Sequence, residues 1–226
     1  MKIEIWSDVV CPWCYIGKRR LERALADFEG AGEVEIAWRS FQLNPGMPVG
    51  RGVPTMDYLA SRFGPQSKTM VARVAELGRA EGLDLDFDAA LSVNTMDAHR
   101  ALHLAADHLA ANHGAADHGA ADHGAADHGA AGAAEERLMH AHFTEGADLS
   151  DPETLAGLLA ETGVPADRVR TVLAGTEYAD AVQADVEQAY AFGATGVPFF
   201  VIDRKYGISG AQPVEAFLHA LRTARG

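Results

Sequence analysis

Cys11 and Cys14 are the only two cysteines of the 226-residue chain, and they stand together as Cys11-Pro12-Trp13-Cys14. Two thiols at that spacing can close a small ring, open it and pass the disulfide to another molecule. The pair follows an apolar run, Ile3 to Val10, and precedes a helical pattern, and a Cys-x-x-Cys at a strand-to-helix junction reads as a redox pair. A thiolate, not a thiol, attacks a disulfide. Cys11 falls at the helix N-terminus, where free N–H groups and the macrodipole favour negative charge. Pro12 suits the first turn, where its missing N–H costs nothing. Cys11 is thus the natural nucleophile and Cys14, one turn on, the resolving thiol. The neutral Trp13 offers substrate a packing surface but no charge, so the pair is expected to be less oxidising than one flanking a cation. Two rival readings are a pair of reduced core thiols and a structural zinc site. Zinc wants four ligands and the chain has no second cysteine pair, so no metal is expected.

Four other features could bear on chemistry. Val197-Pro198 opens an apolar strand, Phe199 to Ile202, and beside the cysteines it would leave a backbone edge for an extended substrate. On the residues alone, an ordinary strand-initiating trans proline is expected there. Asp8, three residues before Cys11, could accept a proton from Cys14 if buried; otherwise it is a strand-end residue facing solvent or capping the helix. His99 and His103 share a helix face, but a metal site would need a further ligand, so satisfied helix histidines are the simpler reading. An Ala-Ala-Asp-His-Gly repeat spans about 110–132, with His108, His113, His118, His123 and His128 five residues apart. Successive histidines would be turned by about 140° on a helix and share no face. Such tracts can bind metal, yet a solvated loop or frayed helix extension is the expectation.

The elements that must hold these residues follow from periodicity. Residues 2–7 and Glu33 to Arg39 read as strands flanking a helix over 12–29, a β-α-β unit. On that helix Tyr15, Ile16, Leu21, Leu25 and Phe28 share one face, while Lys18, Arg19, Arg20, Glu22 and Arg23 crowd the other. Phe41 to Pro54, with three prolines and three glycines, reads as loop. Helical patterns then run over 55–63, 66–81, 95–112, 133–145, 152–161, 166–174 and 176–192. Strand signals return at Phe199 to Ile202 and near Ile208, before a last helix over 213–224. Trp38, Phe41, Phe63, Phe143 and Phe192 are read as core. The chain is thus divided into a discontinuous domain, 1–50 with 177–226, and a helical domain, 51–176.

Composition bounds the rest. The chain is 48% hydrophobic and carries a net charge of −13, which disfavours nucleic acid as a partner. No apolar run is long enough to span a membrane, and the acidic residues near the N-terminus are unlike a signal peptide. A cytoplasmic protein, monomeric or homodimeric, is expected.

Together, Cys11-Pro12-Trp13-Cys14 after the first strand, a helical insertion, and Gly196-Val197-Pro198 before a late strand resemble the DsbA-like branch of the thioredoxin superfamily. Ser7 to Lys18, Trp38 to Pro45, Asn94 to His99, His142 to Gly146 and Ile208 to Gln212 resemble its FrnE-like members. The resemblance implies an α/β, thioredoxin-like fold (βαβ … ββα) with a large all-helical domain inserted after the second strand. It implies Cys11 as nucleophile, Cys14 as resolving thiol, and Val197-Pro198 as a cis-proline element contacting substrate beside Pro12 and Trp13. The implied activity is thiol-disulfide exchange, with isomerase activity in some members, on protein or small-molecule thiols and disulfides. No cofactor beyond the Cys11–Cys14 disulfide is implied. The namesake belongs to aromatic polyketide biosynthesis. The insertion also resembles that of kappa-class glutathione transferases and 2-hydroxychromene-2-carboxylate isomerases, which use serine in place of the nucleophilic cysteine and bind glutathione. A glutathione-dependent isomerase or transferase is therefore the alternative, with its carboxylate held near Ser209 to Pro213 at the start of the last helix.

Overall fold

The computed structural model describes residues 1–113 and 129–226. His118, His123 and His128, and with them most of the repeat, lie outside the described residues. β1 (Lys2–Ser7), α1 (Pro12–Ala26) and β2 (Glu35–Ser40) form the expected β-α-β unit, with β1 and β2 parallel in the register Ile5↔Trp38. The chain then passes through α2 (Thr55–Phe63), α3 (Ser67–Ala80), α4 (Met96–His113), α5 (Gly129–Thr144), α6 (Pro152–Ala160), α7 (Ala166–Ala174) and α8 (Ala179–Ala191). It returns to the sheet as two antiparallel strands, Phe199–Ile202 and Tyr206–Ser209, and ends in α9 (Val214–Arg225). The first of these strands pairs with β1, Ile5 opposite Phe200, giving a four-stranded sheet. This is the thioredoxin-like fold with a helical insertion.

One pairing is not legible in the sequence. Val53–Pro54 and Leu91–Ser92, here β3 and β4, form a two-residue antiparallel ladder that pins the start of α2. At that length neither has a period to read. The two strands that close the main sheet are accordingly β5 (Phe199–Ile202) and β6 (Tyr206–Ser209). α1 ends at Ala26 rather than at residue 29, closed by Asp27.

α1 lies between two cores. Leu21, Leu25 and Phe28 pack with Ile3, Ile5, Phe200 and Phe217 under the sheet. Cys14, Tyr15 and Ile16 pack instead with Leu85, Met139 and Phe143 of the insertion. A helix packed on both sides covers part of its charged face as well, and Lys18 lies in that covered part. It is 5% exposed, and its ammonium pairs with Glu22 and, at 2.7 Å, with Glu136 of α5. Tyr15 also donates to Glu136 at 2.6 Å, so one carboxylate fastens α1 to the insertion. A charge is tolerated at such depth when it is paired and hydrogen-bonded. Phe41 and Phe143 are core as expected.

Candidate active site

Four residues connect β1 to α1, and they set the geometry of the cysteines. The Cys11 N–H donates to the Asp8 carbonyl at 2.9 Å, closing a turn. Cys11 is the N-cap of α1 with extended backbone (φ −95°, ψ 112°) and Pro12 follows at the first helical position. No side chain caps this end, so the Cys11 sulfur stands where a capping anion would. The Cys11 thiol donates to the Val197 carbonyl over 3.7 Å.

The Val197-Pro198 bond is cis, as the family resemblance implies and contrary to the trans bond expected from the residues alone. Pro198 is buried, and Gly17 makes room for it. A Cβ on Gly17 would stand 3.0 Å from Pro198 Cγ and 3.2 Å from Phe200 Cζ. The absent side chain lets α1 lie against the proline loop, which brings Val197 to Cys11.

The two sulfurs differ in surroundings. Cys11 is 3% exposed but borders a cavity; Cys14 is sealed behind it. Burial, and then the neighbouring Cys11, push the Cys14 thiol well above its ordinary range. The nearby Asp8 backbone and Ser7 act the other way. Ser7, the last residue of β1, donates its hydroxyl to Glu135 of α5 at 2.7 Å. Glu135 is 3% exposed. Burial holds its carboxyl above the usual range, against the Ser7 bond and the charges of His99 and Lys18. The sequence singled out neither residue for this role. A glutamate on a helix is common, and only the fold shows that this one faces β1.

Asp8 is buried, neither solvent-facing nor a side-chain cap. One carboxylate oxygen accepts from the Leu43 N–H at 2.8 Å, and the other lies 3.4 Å from His99 Nε2. That distance is long for a hydrogen bond but close for an ion pair. Burial alone would disfavour a charged His99; the adjacent Asp8 carboxylate, with Glu135 and Asp185, outweighs it and raises its pKa. One Asp8 oxygen is thus held by the loop after β2 while the other faces His99, and Glu135 is linked to Cys14 through Ser7. His103 Nε2 lies 3.1 Å from Asp185, so each helix histidine faces a carboxylate, although neither Nε2 makes a well-aligned hydrogen bond. Among the described residues no three His, Cys, Asp or Glu side chains cluster as metal ligands.

The cavity in front of Cys11 has a volume of about 380 Å³. Pro12, Trp13 and Val197 border it on the cysteine side, as expected of substrate contacts. α2 and α3 cover it, and His142 and Phe143 of α5 form part of its back wall. Phe63, read as core, instead stands at the cavity and is 37% exposed, because α2 covers the site rather than the core. His142 is buried with its ring edge-on to Phe143 at 4.5 Å, and burial lowers its pKa to about 4. It is a neutral wall residue at physiological pH.

A family model for the DsbA-like thioredoxin domain matches residues 2–120 and 106–222. A probable DsbA oxidoreductase from Streptomyces coelicolor has a similar structure, with a TM-score of 0.87 at 38% identity, over 100% of this chain and 90% of that one. A 2-hydroxychromene-2-carboxylate isomerase shares the fold at a TM-score of 0.66 and 14% identity, over 100% of this chain and 95% of that one. So does the cytosolic disulfide reductase DsbM from Pseudomonas aeruginosa, solved with glutathione, at 0.63 and 21%, over 99% and 98% of the two chains. Strand-ending Ser7, helix-capping Cys11, the Val197-Pro198 loop and the profile match all lie in one frame: the chain belongs to the family of DsbA-like thioredoxin domains, a family of thiol oxidoreductases.

Proposed function

We propose that the protein is a thiol-disulfide oxidoreductase working through the Cys11–Cys14 pair. The observation that carries this is the asymmetry of the two sulfurs: one at a helix N-cap and open to a cavity, the other sealed behind it near Ser7, whose hydroxyl donates to the buried Glu135. In the reduced protein the Cys11 thiolate attacks one sulfur of a substrate disulfide. A Cys11–substrate disulfide forms and the other substrate sulfur leaves as a thiolate. Cys14 then attacks Cys11 Sγ, closing the Cys11–Cys14 disulfide and releasing the second substrate thiolate. Two electrons pass from the protein to the substrate, and an external thiol restores the reduced pair.

Cys14 must lose its proton to attack. Ser7 has one hydroxyl hydrogen, which faces Glu135 in the ground state. As that hydrogen passes to Glu135, the Ser7 oxygen takes the Cys14 thiol proton, and the re-formed hydroxyl is left facing the Cys14 thiolate. The exchange Cys14–SH plus Glu135–COO⁻ to Cys14–S⁻ plus Glu135–COOH is thus relayed by Ser7. Glu135 is the proton acceptor, the role considered for Asp8.

The glutathione-dependent isomerase reading finds less support. The N-terminus of α9 was its carboxylate site. Gln212 turns its amide back to the Ser209 carbonyl at 2.8 Å, and Glu215 places a negative charge in the first turn. A negative charge already in that turn disfavours a second one. The test is a redox-buffer titration of the purified protein followed by thiol counting. We expect one two-electron transition between the potentials of thioredoxin (about −270 mV) and protein disulfide isomerase (about −180 mV). No disulfide formed at any poise refutes the proposal, whereas a midpoint near about −120 mV would make the pair a strong oxidant and refute the milder poise expected from the neutral Trp13.

A further inference from the structure

We propose that the substrate disulfide is a small, largely apolar molecule bearing a carboxylate, held in the cavity with its sulfurs at Cys11 and its carboxylate at Arg62. This rests on the exchange chemistry proposed above and specifies its substrate class.

Access is the first argument. Cys11 is 3% exposed and its open side is the cavity, beneath α2 and α3. A disulfide within a folded protein would have to bring two chains to that sulfur; a small molecule can enter whole. About 380 Å³ lies in the range that holds small ligands. The walls are chiefly apolar, with Met47, Met70, Val74 and Phe87 among them.

The polar groups in the walls are the second argument, because three of them carry an atom without a hydrogen-bond partner: the Asp8 oxygen that faces His99, and two uncharged groups, on Ser67 and His142. Ser67, 2% exposed at the start of α3, has a hydroxyl with no hydrogen-bond partner. His142, also 2% exposed, has Nδ1 in the same state. A buried polar atom without a partner costs about 1–3 kcal/mol, so two of them lining one cavity mark positions where a ligand's polar atoms complete the bonding. Neither is charged, since His142 is neutral above about pH 4.

Charge is the third argument. Arg62 is the cation among the cavity-lining residues, in a chain of net charge −13. Its guanidinium donates to the Tyr58 hydroxyl at 3.2 Å and lies over the Phe63 ring at 5.7 Å. Among the described residues no carboxylate pairs with it, although most other arginines around α1 and α5 are paired. Its remaining donors are free for an anion, in the fork geometry that suits a carboxylate. The second charged lining residue, Asp8, accepts from the Leu43 N–H with one oxygen and faces His99 at 3.4 Å with the other.

The test compares three disulfides in single turnovers of the reduced full-length protein: dithiobis(nitrobenzoate), aromatic and anionic; dithiodipyridine, aromatic and neutral; and insulin. Each rate is divided by that of the same disulfide with mercaptoethanol, which removes intrinsic reactivity. We expect both aromatic disulfides to outrun insulin at least tenfold. In Arg62→Gln the anionic-to-neutral ratio should fall about fivefold, and high salt should lower it in the unaltered protein. Met70→Trp, at a residue 46% exposed on the cavity wall, should slow both aromatic disulfides at least fivefold more than insulin. Ser67→Leu fills the same space from inside and should do likewise. Insulin reacting as fast as the aromatic disulfides, or a ratio unchanged in Arg62→Gln, overturns the proposal while leaving the exchange chemistry standing. No reaction with any of the three refutes the exchange chemistry itself.

Discussion

Replacing Glu135 by Gln removes the proposed proton acceptor while keeping its shape and an oxygen to accept the Ser7 hydroxyl. The size of the effect follows from Cys14. A thiol of ordinary acidity is only a few per cent ionised near pH 7, and burial beside Cys11 raises the Cys14 pKa well above its ordinary value. Each further pH unit of separation costs another factor of ten in thiolate. A positioned base that takes the proton during attack typically recovers about 10² to 10⁴. At pH 7, Glu135→Gln should therefore slow ring closure by about a hundredfold or more. Attack by Cys11 on substrate should be unchanged, since Glu135 is linked to Cys14 through Ser7. Rapid acid quench and mass spectrometry of the protein would show the mixed disulfide building up in the variant and only transiently in the unaltered protein. The variant's closure rate should also climb about tenfold per pH unit in the alkaline range, where the thiol ionises unaided. Equal closure rates, or equal slowing of both steps, would refute the relay.

Two further outcomes test the frame around the site. His142 has its pKa lowered to about 4 by burial, against 6.5 unperturbed, so between those values the unfolded chain binds the extra proton. Its contribution to stability is complete above pH 6.5 and is lost as pH falls toward 4. Denaturant melts at pH 7 and 4.5 should show the stability advantage over His142→Asn shrink by about 2 kcal/mol, at about 1.4 kcal/mol per pH unit; a constant difference contradicts the buried neutral ring. Gly17→Val should displace the Val197-Pro198 loop, because even a Cβ meets Pro198 at 3.0 Å. Exchange rates should drop at least tenfold with a loss of about 1–3 kcal/mol from overpacking, and unaltered rates would contradict the packing of α1 on that loop.

The cysteine pair, its strand-turn-helix setting and the order of elements were legible because they are local. Spacing marks Cys11 and Cys14, Pro12 marks a helix start, and periods of two and 3.6 residues mark β1, β2 and α1 to α9. What was not legible depends on which surfaces meet. Lys18 carries a solvent-face pattern and is buried because α5 covers that face of α1. Glu135 and Ser7 are 128 residues apart and joined by one hydrogen bond. Phe63 looks like core by type and becomes a cavity wall because α2 lies over the site. The cis geometry of Val197-Pro198 followed from the family resemblance and not from the residues, since most X-Pro bonds are trans. Ser67 and Arg62 carry no pattern at all; their meaning lies in partners they lack.

In this chemistry Cys11 makes the bond to substrate and Cys14 breaks it. The most direct measurement is mass spectrometry of reduced Cys14→Ser and Cys11→Ser proteins after reaction with dithiobis(nitrobenzoate). Cys14→Ser should hold one stable mixed disulfide, mapped to Cys11, while Cys11→Ser should acquire none on the same time scale, its Cys14 being sealed behind the empty position. Labelling of Cys14 at a comparable rate, or no trapped species in Cys14→Ser, would contradict the account.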